Sequence, residues 1–155
     1  MSGKKEPPGL IAKNRKAGHY FEFLEFVEAG IALTGPEIKS IRAGGVNFHD
    51  AFVRFRGHEA FAVGLHIAPY KHAGYAEQDP DRERKLLLHA REIRSLAAAV
   101  AQQGLALVIV NLHFRAGRVK VELALARGRK LGDRREHLRQ TAARRDAERD
   151  MSGRG

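Results

Sequence analysis

The alternation of apolar and polar positions predicts a β-rich domain built from hairpins. It is clearest near the end of the regular part of the chain, where Val119, Val121, Leu123 and Leu125 are separated by polar or small residues. A period of two places one face of a strand in a core and the other face in water. Two earlier segments, residues 48–56 and 60–67, alternate similarly, and the Gly57 turn between them predicts a hairpin.

Further strands are predicted from segments in which both the odd and the even positions carry apolar residues. Residues 20–33 predict strand segments that are buried on one face and partly covered on the other. Residues 105–114 predict a strand covered by a helix, and the turn at 115–118 leads into the final strand. In the hairpin of residues 48–67, alternation assigns six side chains to the core: Val53, Phe55, Phe61, Val63, Leu65 and Ile67.

Two helices are predicted from start and stop signals. Pro36 precedes a short helix over residues 37–42, which a Gly pair ends, and Glu37 lies at its positive end. Asp79-Pro80-Asp81 has the form of a helix start with Asp79 as N-cap, and Gly104 is the expected C-cap. Residues 68–78 have no periodicity and predict a loop. The apolar stripe of the second helix is Ala90, Ile93, Ala97 and Val100.

These elements predict a mainly β fold: a small closed antiparallel barrel of about six strands with two or three peripheral helices. We expect a flexible leader at residues 1–10, the barrel domain at 11–127 and a basic tail at 128–155. Residues 126–136 contain one large apolar side chain, so burial cannot recover the entropy lost on ordering them. The tail is therefore predicted to be disordered until it meets a polyanion.

The charge balance points to nucleic acid. The 155 residues carry a formal net charge of +10, which favours a polyanionic partner. A membrane is disfavoured, because no basic segment forms an amphipathic helix with aromatic residues and no apolar run is long enough to span a bilayer. The N-terminus has no signal-peptide core, and there is no Cys for a disulfide or thiolate site. We expect a cytoplasmic protein.

A search for catalytic chemistry finds no motif. His58-Glu59 begins a zinc-protease pattern, but residue 62 is Ala and the second ligand is missing. Adjacent residues on a strand point to opposite faces, so His49-Asp50 does not form a base with its orienting acid. His66 and His72 have no ligand spacing, and no phosphate-binding loop or nucleophile motif is present. We expect no active site, metal or cofactor.

Four basic groups come from separate parts of the chain. Each alone is typical of a solvated surface, whereas four together with this net charge favour RNA binding. With no Trp and three Tyr, stacking platforms for single-stranded bases are scarce, so a folded RNA fits better. The groups are Lys13 to Lys16, Lys39 with Arg42, Arg82 with Arg84 and Lys85, and Arg127 to Lys130.

Three consecutive leucines, Leu86, Leu87 and Leu88, are unusual within a predicted helix. Successive helical residues lie about 100° apart, so three of them span roughly 200° and cannot all face one core. At least one should be partly exposed. It either packs beneath a loop or meets the apolar surface of a ligand, and the sequence leaves both interpretations open.

Several ordered blocks resemble the small protein B family, the SsrA-binding proteins of bacterial trans-translation. The match covers about residues 10 to 150. The blocks are Ile11-Ala12-Lys13-Asn14-Arg15-Lys16-Ala17, Glu28-Ala29-Gly30-Ile31, residues 35–44 (GPEIKSIRAG), residues 79–88 (DPDRERKLLL), residues 117–123 (GRVKVEL) and residues 128–135 (GRKLGDRR).

The resemblance implies an oligonucleotide-binding-like barrel that binds the tRNA-like domain of transfer-messenger RNA and delivers it to stalled ribosomes. It also implies that the tail enters the decoding centre of the small subunit and forms a helix in the empty messenger channel. Alanyl-tRNA synthetase and elongation factor Tu are expected to act on the same RNA.

The implied site residues fall into two sets. The RNA-binding set consists of Lys13, Asn14, Arg15, Lys16, His19, Glu28, Lys39, Arg42, Arg84, Lys85, Leu87 and Lys120. The decoding-centre set consists of Gly128, Arg129, Lys130, Gly132, Asp133, Arg134 and Arg135.

The chain departs from the family pattern at a few positions. Gly132 stands where many members carry an aromatic residue or His, and Asp150 replaces a common apolar residue. Gly18 and Tyr20 differ from the usual basic and acidic choices beside His19. Two other functions stay open: a permanent ribosomal component, which would remain on ribosomes washed at high salt, and an RNA-modifying enzyme dependent on His49 or His66.

Overall fold

The computed structural model describes residues 7–71 and 78–129. The predicted disordered tail beyond Arg129 lies outside these ranges, as do residues 1–6 of the predicted leader. The described strands are β1 Leu10–Lys13, β2 Phe21–Ile31, β3 Val46–Arg56, β4 Glu59–Ile67, β5 Arg84–Leu87, β6 Ala106–Arg115 and β7 Arg118–Gly128, and the helices are α1 Ala17–Tyr20, α2 Gly35–Arg42 and α3 Ala90–Gln103.

Six antiparallel strands close into a barrel. The strand order is β1-β6-β3-β4-β5-β2-β7, and β7 pairs back onto β6, which closes the ring. The predicted mainly β barrel with peripheral helices is confirmed. The additional strand β1 pairs with β6. It was not predicted, because its four residues are too few to display a period and three of them are apolar in succession.

The final strand is buried on both faces near its C-terminal end. Val119, Val121, Leu123 and Leu125 are buried in the barrel core as alternation predicted. Ala124 and Ala126 are also fully buried, although alternation placed them toward water. Their small side chains allow a second cluster to cover the outer face, formed with Val108, Val110, Phe21, Phe23 and Phe26.

The β3–β4 hairpin forms as predicted, but its inward register is partly wrong. Ala60 and Ala62 are fully buried, whereas Phe61 and Val63 are only half-buried. The pairing shifts between Phe48 and Phe52, and Gly64 opposite this shift has a φ of 80°. A bulge adds one residue and exchanges the two faces of a strand, so Leu65 and Ile67 return to the core. A side chain at position 64 would collide with the His49 carbonyl oxygen.

The helix predicted with Asp79 as its N-cap begins ten residues later, with His89 as its N-cap, and this is a correction. Asp79 accepts a hydrogen bond from the Asp81 N–H over 3.0 Å, but the result is a turn. The backbone of residues 84–87 pairs with β4 and β2 as strand β5, and this tertiary pairing overrides the local helix signal. Helix α3 then starts at Ala90 and ends, as predicted, at Gly104, whose φ is 65°.

Helix α2 begins with a reciprocal cap. The Thr34 hydroxyl accepts from the Glu37 N–H over 3.3 Å, and the Glu37 carboxylate accepts from the Thr34 N–H over 2.9 Å. This capping box starts the helix at Gly35, two residues before the predicted start. Because Glu37 is 6% exposed, its charge needs further partners inside the protein.

Arg84 and Arg82 supply those partners. Arg84 is 0% exposed and donates to Glu37 over 2.7 Å and to the Leu65 carbonyl over 2.6 Å. Arg82 donates to both Glu37 oxygens, over 2.6 and 2.9 Å. Burial alone would raise the pKa of Glu37, but the hydrogen bonds from Arg82, Thr34 and Arg84 lower it below its ordinary value. Arg84, which was expected at the RNA, is therefore enclosed in this structure, and its guanidinium is engaged by groups of the protein.

The substitution Glu37→Gln should destabilise the barrel by about 3 kcal/mol, because it leaves the Arg84 charge buried without a counter-ion. Chemical denaturation measures this loss. A matched control is Glu59→Gln, whose carboxylate pairs with Lys85 at the surface and which should leave the unfolding midpoint within error.

The stability that Glu37 contributes also depends on pH. Since the folded pKa of Glu37 lies below its unfolded value of about 4.5, its contribution is present above that pH and is lost as the pH falls through the folded value. The acid side of the stability profile should be shallower in Glu37→Gln. An unchanged profile and midpoint would contradict the role given to this ion pair.

Candidate nucleic-acid interface

Among the residues that the structure describes, Leu87 is the most exposed large apolar side chain. It is 55% exposed, while Leu86 is 1% exposed and Leu88 is half-buried against the core. The prediction that one of the three leucines is exposed is confirmed, but the reason is strand alternation within β5 and not helical geometry. Gly30 faces Leu87 across the β2–β5 pairing, and a Cβ there would lie 3.2 Å from the Leu87 Cβ. Glycine at this position therefore leaves Leu87 its space.

Two clefts flank Leu87, and both are lined by Gly30, Leu87 and Lys120. The first, of about 550 Å³, also contains Lys85, Glu59 and Glu28. The second, of about 230 Å³, is more apolar and has Arg118 at its edge. An exposed leucine between two clefts with ammonium groups offers an apolar contact for a base or ribose next to cations for phosphate.

Glu28 is fixed at the first cleft by two donors. One carboxylate oxygen lies 2.7 Å from Nε2 of His113, and the other accepts from the Arg115 guanidinium over 2.7 Å. The hydrogen bond with His113, together with the nearby Arg115 charge, holds the pKa of Glu28 below its ordinary value despite partial burial. Glu28 is therefore a carboxylate at neutral pH, with its side chain about one third exposed.

A buried polar chain continues behind Glu28. Nδ1 of His113 lies 2.9 Å from the Asn111 amide oxygen, and the Asn111 amide nitrogen donates to Glu122 over 2.9 Å. His113 and Asn111 are 3% and 4% exposed. Sequence reasoning missed both residues, because the contacts join β2, β6 and β7 across 85 residues of chain. The available signal was two polar residues at alternate positions of a strand that is otherwise apolar.

The predicted residues near the N-terminus form a separate basic surface at the β1–α1 junction. Asn14 is fixed to β6: its side-chain amide donates to the Ile109 carbonyl over 2.9 Å, and its backbone N–H donates to Val110. Lys13, Arg15 and Lys16 are exposed around it, and His19 is half-buried. Asn14 thus holds this segment in place while the neighbouring cations reach solvent.

The last described residues meet the same surface. Gly128 pairs with Phe21 at the start of β2, and the Arg129 N–H donates to the Tyr20 carbonyl over 2.9 Å. The Arg129 guanidinium reaches the Gly18 carbonyl at 3.4 Å. Five predicted tail residues, Lys130, Gly132, Asp133, Arg134 and Arg135, lie outside the described residues.

Two predicted cations lie on α2. Arg42 is exposed and stacks over the ring of Phe114 at 5.3 Å, and Phe114 lines the second cleft. Lys39 lies 5.8 Å from the ring of Tyr70. Arg42 therefore extends the Leu87 surface through Phe114, whereas Lys39 lines neither cleft. From Phe21 to Gly30 the strand spans up to about 30 Å, so the Leu87 surface and the β1–α1 surface are well separated.

Of the histidines considered for catalysis, His49 and His66 lie together, and His72 lies outside the described residues. The His49 and His66 rings are 5.4 Å apart, and His66 pairs with the exposed carboxylate of Asp81 over 2.8 Å. Within residues 7–71 and 78–129, no three His, Cys, Asp or Glu side chains come together as metal ligands. In the same part of the chain, no helix has the length and apolar character to cross a bilayer.

Comparison with known proteins places the chain in one family. The family model described as SmpB protein matches residues 11–153. The SsrA-binding protein of Nitratidesulfovibrio vulgaris is 55% identical over 152 residues, covering 98% of this chain and 99% of the relative. The SsrA-binding protein of Nostoc punctiforme is 47% identical over 152 residues, covering 97% and 98%.

A solved structure agrees with the sequence comparisons. A chain from a structure described as tmRNA-SmpB at the centre of the bacterial ribosome superposes with a TM-score of 0.68 and 47% identity. The match covers 83% of this chain and 94% of that chain. This chain therefore belongs to the SmpB family of SsrA-binding proteins.

Proposed function

We propose that this protein is a non-enzymatic RNA-binding factor that binds the tRNA-like domain of transfer-messenger RNA and delivers it to stalled ribosomes. The observation that carries the proposal is the Leu87 surface: an exposed leucine between two clefts, with Lys85 and Lys120 beside it and the Glu28 carboxylate held in one orientation. Membership of a family of SsrA-binding proteins supports the identity of the RNA.

Each component of this surface has a separate role. Leu87 packs against an unpaired base or a ribose face, which removes apolar area from water. Lys85 and Lys120 neutralise phosphates and release counter-ions. Glu28 accepts hydrogen bonds from base or ribose donors, a role for which a carboxylate is suited because it carries only acceptors. Arg42 and the cations of the β1–α1 surface, with His19 among them, extend the footprint along the folded RNA.

The tail has a different role in the proposal. Residues 128–135 engage the decoding centre of the small subunit, and the following residues become helical in the empty messenger channel. The strand β7 ends at the β1–α1 surface, so the tail leaves the barrel at a distance from Leu87. Alanyl-tRNA synthetase and elongation factor Tu act on the same RNA in this scheme, and the protein works in the cytoplasm. The flexible leader in this proposal ends before Gly9, because the Gly9 carbonyl accepts from the Phe114 N–H and Leu10 begins β1.

Leu87→Asp should weaken binding to the tRNA-like domain by roughly tenfold or more, because it removes an apolar contact and adds a charge facing phosphates. Filter binding or calorimetry measures the affinity. Leu24→Asp is a matched control, since Leu24 is 41% exposed on β2 and lies outside both clefts. Equal losses in the two variants, or a large drop in the thermal midpoint of Leu87→Asp, would contradict the assignment.

The dependence of affinity on salt should separate cations from apolar contacts. Lys120→Ala should lower the slope of log affinity against log salt by about one, because one phosphate contact is lost. Leu87→Ala should lower the affinity and leave the slope unchanged. If both variants shift the slope alike, Lys120 does not contact phosphate.

Truncation after Arg129 should leave binding to transfer-messenger RNA nearly intact and abolish the tagging of stalled peptides. The cut keeps every described strand and the bond from Arg129 to Tyr20, so the barrel stays complete. Tagging in a reconstituted translation system measures the second function. Loss of RNA binding would show that the tail contributes to the first step, and retained tagging would exclude its role in the decoding centre.

A further inference from the structure

We propose that His113 is a positioning residue for RNA binding: it carries a proton on both ring nitrogens and thereby holds the Glu28 carboxylate in the orientation that presents its remaining lone pairs to RNA. The proposal rests on the proposed function and adds to it a buried residue that the RNA does not touch.

The first argument is the identity of the atoms on either side of the ring. Nε2 faces a Glu28 oxygen at 2.7 Å, and Nδ1 faces the Asn111 amide oxygen at 2.9 Å. Both neighbours are acceptors in this arrangement. A neutral imidazole has one donor and one acceptor, whereas imidazolium has two donors. Only imidazolium satisfies both contacts.

Rotating the Asn111 amide does not rescue a neutral ring. Its nitrogen donates to Glu122 over 2.9 Å, and exchanging the amide atoms would set the Asn111 oxygen against a carboxylate oxygen. Two acceptors at that distance repel each other, so the hydrogen-bond network assigns the amide oxygen to His113. Nδ1 of His113 must therefore donate.

A protonated Glu28 does not explain the contacts either. The second Glu28 oxygen accepts from Arg115 over 2.7 Å, and the pKa of Glu28 is lowered. A group with this partner is ionised at neutral pH, so it accepts from Nε2 of His113. The imidazolium is 3% exposed, and the adjacent carboxylate compensates the cost of burying its charge.

Charged groups approach the ring from each strand packed against it. They are Glu28 from β2, Arg115 from β6 itself, and Lys120 and Glu122 from β7, with Lys13 of β1 beside Asn111. Loss of the donor at Nε2 frees the Glu28 carboxylate from His113, whereas loss of the donor at Nδ1 breaks only the contact with Asn111.

The protonation state is tested directly on the unmodified free protein. A long-range proton–nitrogen NMR spectrum at neutral pH should show a proton on both ring nitrogens of His113, as its two acceptor neighbours require. The exposed pair of His66 with Asp81 is the internal reference. A bare nitrogen on His113 at this pH would overturn the proposal whatever the RNA does.

The positioning role is tested by a double-mutant cycle. His113→Gln should weaken binding to the tRNA-like domain by about fivefold, the effect of losing one oriented hydrogen bond to a charged group. In a Glu28→Gln background the same change should have little further effect, because the group that His113 orients is already altered. His66→Gln is the matched control and should bind as the wild type does.

Equal losses for His113→Gln in the wild-type and Glu28→Gln backgrounds would overturn the positioning role. Unfolding midpoints of the variants are measured beside the affinities, and if His113→Gln fails to fold, the NMR spectrum of the unmodified protein still decides the proposal. Failure of the wild type to prefer transfer-messenger RNA over ordinary tRNA would instead refute the proposed function and leave the ring protonation as a separate result.

Discussion

The buried ion pair between Arg84 and Glu37 is the constraint on which the Leu87 surface depends. Strand β5 has only four residues, and its side chains alternate inward and outward. With Arg84 enclosed and bonded to Glu37, Leu65 and the turn before β5, the alternation is fixed for the whole strand. Lys85 and Leu87 must then face out. Arg84, which the sequence suggests as an RNA contact, thus fixes which way the side chains of Lys85 and Leu87 point.

Two carboxylates illustrate how burial separates stability from recognition. Glu37 and Glu28 both have a lowered pKa, and both accept from an arginine. Glu37 is almost completely enclosed, so every lone pair is used inside the protein and breaking its contacts costs stability. Glu28 keeps part of its surface at the cleft. Its donors come from behind and from one side, which leaves acceptor capacity for a ligand.

The sequence was sufficient for elements whose pattern is local. The β3–β4 hairpin, the alternation of β7 and the αL cap at Gly104 follow from neighbouring residues, and so does the barrel class. The sequence was insufficient wherever contact with a residue distant in the chain determines the local structure. Asp79-Pro80-Asp81 is a sound helix start on its own, but the pairing of β5 with β4 and β2 supplies more hydrogen bonds than a helix start there could. The Gly64 bulge likewise exchanged the predicted faces of β4.

The candidate site divides in the same way. The resemblance to the family pointed to Leu87 and Glu28. The run of three leucines also predicted that one of them is exposed. His113 and Asn111 were not, because a polar residue inside an apolar strand acquires meaning only when its acceptor on another strand is known. The burial of Arg84 was not predicted for the converse reason: the sequence shows its charge but does not reveal that Glu37 neutralises this charge inside the protein.

The separation of the two surfaces has a mechanical consequence. β2 carries the β1–α1 surface near its first residue and Gly30 beneath Leu87 near its last, and its pairing with β7 runs along nearly this whole length. Strands hydrogen-bonded over such a span bend little, so the two ends keep a fixed distance. Arg129 is tied to Tyr20 at one end, which fixes the origin of the tail relative to Leu87 at the other. In the proposed function, an RNA bound at Leu87 would therefore set the position of Arg129, the last described residue, relative to the RNA.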